Sequence, residues 1–206
     1  MTKLLVATTN LGKFSEVEAF LTDVPIEVVC LTNLVNPPEV IENGRTFEEN
    51  ALKKARILAD YSGLLTLADD SGLEVDALGG APGIYSARYA GEDSDDARNN
   101  QKLLGALAGR PEEQRTARFV CALALCAPQS CGMEDWAVRQ TCEGRIAFDL
   151  RGDHGFGYDP LFFYPPFGKT FGEVERELKA TVSHRGRALM KLVEILPQQA
   201  HLAAKP

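Results

Sequence analysis

Long apolar runs are missing from this 206-residue chain. Its nine-residue stretch Phe119 to Ala127 is closed by Pro128, and Leu4 to Ala7 is shorter still. Neither approaches the roughly 20 residues of a membrane span, and the second is too short for a signal-peptide core. A soluble protein is expected. A basic excess is also missing: 29 acidic against 22 basic residues give a net charge of −7. That balance argues against nucleic acid or an anionic membrane surface as partner, while leaving room for one small anion held by a few local cations. Histidine is scarce, and His154, His184 and His201 stand at no zinc-ligand spacing. Five cysteines, Cys30, Cys121, Cys126, Cys131 and Cys142, form no C-x-x-C pair. Their odd count reads as reduced thiols in a cytoplasmic protein, with Cys121 and Cys126 in the core of one apolar run. Internal repeats, low-complexity segments and an interdomain linker are absent too. What is present is ordinary globular composition, 45% hydrophobic and 25% charged, enough for a core without staples.

Hydrophobic periodicity gives the elements. Lys3 to Thr8 predicts a buried strand, then a turn at Asn10-Leu11-Gly12 and a helix with Phe14, Val17 and Leu21 on one face. Ile26 to Cys30 predicts a second strand. Thr46 with Glu49 is a capping-box pattern opening a helix whose stripe is Phe47, Ala51, Ala55 and Leu58, with Glu49 and Lys53 as an i,i+4 pair and Gly63 as its stop. Leu64 to Ala68 predicts a strand entering a turn, Asp69-Asp70-Ser71-Gly72. Residues 93 to 108 read as helix, Arg118 to Leu125 and Trp136 to Ile146 as a long antiparallel pair, and Leu161 to Tyr164 as a short strand. The last helix runs from Ser183 to Leu196. The pattern is α/β with a mixed sheet, and 198 to 206 is expected to fray.

Four places concentrate chemistry. Thr8, Thr9, Asn10, Leu11, Gly12 and Lys13 lie between a strand and a helix, where amide groups at the helix start and a lysine suit a phosphate. The stretch fails the Walker pattern, and an ordinary turn with a surface lysine remains open. Glu42, in a loop, and the doublet Asp69-Asp70 are carboxylates from separate segments, as magnesium sites use; Asp-Asp-Ser-Gly is equally good turn chemistry. Phe156, Gly157, Tyr158 and Asp159 put two aromatics beside flexible backbone, either a clamp on a base or a core plug with glycine hinges. Lys179, His184 and Arg185 surround the start of the last helix, where cations oppose the helix dipole unless an anion joins them or they point to water.

These classes are complementary, and together they describe a nucleoside triphosphate with magnesium. Six stretches stand in the order and spacing of the inosine triphosphate pyrophosphatase family, which the chain resembles from residue 3 to about 196: TTNLGK from Thr8, TFEENA from Thr46, ADDSGL from Ala68, GGAPGIYSARY from Gly79, FGYDP from Phe156 and SHRG from Ser183. The resemblance implies hydrolysis of ITP, dITP and XTP to monophosphate and pyrophosphate, on an elongated mixed β-sheet with flanking helices and two lobes around a central cleft. It implies one such domain over residues 1 to 197, a homodimer, and Mg²⁺ as cofactor. By position, Thr8 to Lys13 would bind phosphates. Glu42 and Asp70 would hold magnesium, with Asp70 also the proton acceptor. Lys54 and Ser71 would touch substrate, Phe156 to Asp159 the nucleoside, and Lys179, His184 and Arg185 the base end. Thr9 departs from the pattern, since many bacterial relatives have glycine there. A related pyrophosphatase with other nucleotide preferences and a non-catalytic nucleotide sensor are the alternatives.

Overall fold

The structure, a computed structural model, describes residues 2–91 and 95–203. In chain order the elements are β1 (Thr2–Val6), α1 (Leu11–Phe20), β2 (Ile26–Cys30), α2 (Phe47–Ser62), β3 (Leu65–Val75), α3 (Asp96–Ala106), β4 (Thr116–Cys126), β5 (Trp136–Ile146), β6 (Phe162–Tyr164), β7 (Lys169–Thr170), α4 (Arg176–Val182) and α5 (His184–Ala203). Seven strands form one mixed sheet in the order β2-β1-β3-β4-β5-β6-β7. β1 lies parallel to β2 and to β3, as strands joined through helices do, while β5, β6 and β7 pair antiparallel. The α/β reading with a mixed sheet holds. No helix among the described residues is long and apolar enough to cross a membrane.

The chain divides into two compact units. The first contains residues 1–70, 121–139 and 188–206, and the second contains 71–120 and 140–187. The core of the first is built from β1, β3, β4 and the stripe of α5, with Leu4, Val6, Leu67, Leu123, Leu189 and Leu192 buried. The core of the second is aromatic: Phe119 packs on Phe162 at 4.4 Å and on the His184 ring at 4.7 Å between centroids, and Phe162 on Phe171 at 5.1 Å. Such pairs contribute beyond their buried area. None of the five cysteines is in a disulfide, and only Cys131 is exposed. Burial pushes the Cys142 thiol up to about 11, which makes it a poor nucleophile.

Several expectations needed correction. The strand expected to end at Ala68 runs on through Asp69-Asp70-Ser71-Gly72 to Val75. Local turn preference gives way because both carboxylates find partners inside the first unit, described below, and because Leu73 and Val75 are buried. The doublet does lie beyond a strand end, that of β1, whose pairing with β3 stops at Val6 opposite Leu67. The capping box is half formed. Thr46 Oγ1 accepts from Glu49 N at 3.1 Å, but Glu49 Oε2 accepts from Arg45 N rather than from Thr46 N. Lys53 does not pair with Glu49; its Nζ donates to Ile41 O and Asn43 Oδ1, both at 2.7 Å. The short strand expected at Leu161 to Tyr164 stands as β6, while β7 and the seven-residue α4, anchored by buried Lys179, are additions. α5 continues past Leu196 to Ala203 with Pro197 inside it. Its buried Leu189, Leu192 and Leu196 hold the turns before the proline, which carries no amide donor of its own. Residues 204–206 of the tail expected to fray lie outside the described residues.

Candidate active site

In the first unit, β1 delivers the chain into Thr8 and Thr9, and Asn10 turns it into α1. Asn10 Oδ1 accepts from Lys13 N at 3.0 Å and Thr8 Oγ1 accepts from Asn10 N at 3.1 Å. Asn10 is therefore the helix N-cap, and the remaining first-turn amides of α1, at Leu11 and Gly12, stand at the positive end of its dipole. Lys13 folds back from this turn to pair with Asp69 Oδ1. Asp69 Oδ2 accepts from the thiol of Cys121 at 3.2 Å.

The neighbouring carboxylate points elsewhere, as alternation along a strand requires. Asp70 Oδ2 accepts from Asn50 Nδ2 at 3.0 Å. Burial raises the Asp70 carboxyl to about 6 from an ordinary 3.8; Glu42 pushes in the same direction, while Lys13, Lys54 and the Asn50 amide oppose it. Glu42 itself is held by Lys54, whose Nζ lies 2.5 Å from Glu42 Oε1 and 2.9 Å from the Asp69 carbonyl oxygen. The structure thus brings Lys13, Glu42, Lys54, Asp69 and Asp70 into one group of alternating charge.

Among the described residues no set of three or more His, Cys, Asp or Glu side chains forms a metal cage. The pair Glu42 and Asp70 nevertheless suits a hard divalent ion. It offers oxygen donors only, and Asp70 is a buried carboxylate whose ionised form lacks full compensation. Magnesium commonly takes one or two carboxylates and completes its shell with water and substrate phosphates.

The second unit holds the remaining candidates. Tyr158 is buried, and its hydroxyl donates to Ser86 O at 2.8 Å, so its ring belongs to the core rather than to an open face. Phe156 is half-buried, with Lys179 Nζ 5.3 Å and Arg185 Cζ 5.6 Å from its ring centroid, a cation–π arrangement. Asp159 Oδ2 accepts from Phe156 N at 2.9 Å and from Lys179 Nζ at 2.6 Å. Gly157 is gripped by α3 through both backbone groups: its N–H donates to Asp96 Oδ2 at 2.7 Å and its carbonyl accepts from Asn100 Nδ2 at 2.8 Å. Its φ of +63° is a conformation glycine adopts without strain. His184 and Arg185 are buried, not turned to water, and Arg185 donates to Ser71 Oγ at 3.1 Å.

The sequence reading missed Asn50, Cys121, Asp96 and Asn100. Asn50 alone left a signal, an amide lying on the apolar stripe of α2 between Phe47 and Ala51.

Comparison with known proteins bears on this arrangement. Residues 4–195 match the model of the Ham1 family. The chain belongs to the Ham1 family. A dITP/XTP pyrophosphatase of Syntrophobacter fumaroxidans is 56% identical over 189 residues, covering 92% of this chain and 79% of that protein. Among solved structures, a HAM1 protein from Coxiella burnetii superposes with a TM-score of 0.88 at 39% identity, covering 96% of this chain and 100% of the other. A nucleoside-triphosphatase, or dITP/XTP pyrophosphatase, from Mycobacterium abscessus gives 0.77 at 44% identity, covering 93% and 99%. The Ham1 match spans all six stretches that carry the resemblance in the sequence.

Proposed function

We propose that the chain hydrolyses the non-standard purine nucleoside triphosphates ITP, dITP and XTP to the monophosphate and pyrophosphate, with Mg²⁺ as cofactor. The observation that carries this reading is the first unit's charge group, in which two lysines and two further carboxylates surround the buried Asp70. The names of the Ham1 relatives support the substrate class.

In this reading Thr8 to Lys13, with the first-turn amides of α1, hold the phosphates, and the Lys13 and Lys54 ammonium groups offset their charge. Glu42 and Asp70 hold magnesium, which when bound supplies further charge neutralisation and polarises the phosphorus under attack. Asp70 accepts a proton from the attacking water, the role that the family resemblance implies for it.

The nucleoside falls to Ser71, Phe156, Gly157, Tyr158 and Asp159, and the base end to Lys179, His184 and Arg185. Tyr158 contributes by fixing the backbone that carries Phe156 and Asp159, since its hydroxyl is committed to Ser86. Hypoxanthine and xanthine present an acceptor at position 6 where adenine presents a donor. A buried guanidinium facing that position matches the first and leaves donor against donor with the second. The resemblance further supports a single two-lobed domain over residues 1–197, a homodimer and a cytoplasmic place. The net charge of −7 supports an enzyme without a nucleic acid or membrane partner.

The test is kcat/KM for ITP, dITP, XTP, ATP and GTP with magnesium, in the wild type, Lys13→Ala and Arg185→Ala. The wild type should prefer the non-standard purines. Lys13→Ala should lower efficiency on every nucleotide alike, because the triphosphate is common to all. Arg185→Ala should erode the ITP-over-ATP preference by about tenfold to a hundredfold, the loss of one buried donor at roughly 1.5–3 kcal/mol. Equal use of ATP and ITP by the wild type would overturn the substrate assignment. Equal proportional losses for both in Arg185→Ala would remove that residue from base reading.

A further inference from the structure

Asn50 is 1% exposed on α2, and both ends of its amide are engaged. Nδ2 donates to Asp70 Oδ2 at 3.0 Å, and Oδ1 accepts from Gly44 N at 2.7 Å. One helical turn on, Lys54 bridges the same two segments, reaching Glu42 Oε1 at 2.5 Å and the Asp69 carbonyl at 2.9 Å. Positions i and i+4 of a helix lie on one face. α2 therefore ties the loop carrying Glu42 to the strand carrying Asp70 at two levels.

The upper level is built to close tolerance. A Cβ on Gly44 would stand 2.7 Å from Asn50 Oδ1 and 2.8 Å from Glu49 Cβ, so the loop backbone is pressed onto the amide. Only a side chain with a donor at one end and an acceptor at the other serves both neighbours. A carboxylate at position 50 would face Asp70 without a proton to give, and an apolar isostere would leave the Gly44 amide unpaired.

We infer that Asn50 is a positioning residue, which sets the orientation of the Asp70 carboxylate and its spacing from Glu42 for a divalent cation. The inference rests on the reading that Glu42 and Asp70 hold the ion. It assigns Asn50 no contact with ion or substrate. Groups that orient metal ligands in this way typically govern affinity by about tenfold to a hundredfold.

The experiment uses Mn²⁺ alone, without nucleotide, titrated into the full chain and followed by electron paramagnetic resonance of the free ion. Wild type, Glu42→Gln, Asn50→Leu and Gly44→Ala are compared, each normalised to its folded fraction from circular dichroism. The expected result is one Mn²⁺ site in the wild type that Glu42→Gln abolishes, weakened about tenfold to a hundredfold by Asn50→Leu. Gly44→Ala, whose Cβ would crowd the Asn50 amide while removing no carboxylate, should weaken it in the same direction. Should Asn50→Leu fail to fold, Gly44→Ala carries the same readout. Wild-type affinity in the folded variants would overturn the role of Asn50 and leave the metal assignment standing. A wild type without a site sensitive to Glu42→Gln would overturn the metal assignment, and the inference with it.

Discussion

Asp70 shows how one buried residue exchanges stability for chemistry. Its carboxyl titrates near 6 in the folded chain against an ordinary 3.8, so the folded state binds this proton more tightly than the unfolded state does. A raised value contributes stability that is fully present below about pH 4 and is lost as the pH rises through 6. By pH 8 the metal-free protein has given up on the order of 3 kcal/mol at this position. Asp70→Asn carries no charge and keeps an acceptor for Asn50. In chelator it should be more stable than the wild type at pH 8 by up to that amount, with the gap closing toward pH 4, as read by urea unfolding. The same variant should lose about 10²-fold or more of any hydrolysis. A variant no more stable at pH 8 than at pH 4, relative to wild type, would mean that burial does not strain this carboxylate. Lys13 pairs with Asp69, whose other oxygen accepts from the Cys121 thiol.

At the scale of elements, regular periodicity was readable and tertiary compensation was not. The stripe of α2, its Thr46 cap and its Gly63 stop stand as expected, because each rests on neighbours in the chain. The passage of β3 through two aspartates was hidden, because what licenses it are Lys13 from α1 and Asn50 from α2, residues distant in sequence. His184 and Arg185 pose the same problem. Their charges suggested water or an anion, and burial against Phe119 and Ser71 is visible only in three dimensions. Of the candidate site, the residues expected to hold the phosphates and the metal were recognisable by class, while their internal pairing was not.

Arg115 is a further residue that no local pattern singles out. It is buried, and its guanidinium donates to Leu107 O at 3.0 Å and to Ile146 O and Ala147 O, both at 2.8 Å. It thereby closes the carboxyl end of α3 and fastens it to the end of β5. Arg115→Leu would remove the guanidinium from the Ile146 and Ala147 carbonyls, while Leu107 O keeps its bond from Arg110 N at 3.1 Å, and should destabilise the protein by about 2 kcal/mol or more, measured by urea unfolding. A change within about 0.5 kcal/mol would show that these carbonyls find other partners.

At the scale of the whole molecule, the chemistry is divided by chain segment. The first unit holds the lysines and carboxylates that the proposed function assigns to phosphates and ion, and the second the residues it assigns to the nucleoside. The chain passes from one unit to the other four times, the first between Asp70 and Ser71 within β3. An overall charge of −7 opposes an anionic substrate at long range, so the proposed function requires Lys13, Lys54 and the start of α1 to act at short range. The proposed reaction cuts the α–β phosphoanhydride bond. The direct measurement is phosphorus NMR of the products formed from ITP and Mg²⁺ by the wild-type chain, with Asp70→Asn as control. The expected products are IMP and pyrophosphate in equal amounts, and almost none with the variant. IDP and orthophosphate as the first products, or the same turnover from Asp70→Asn, would contradict the proposed reaction.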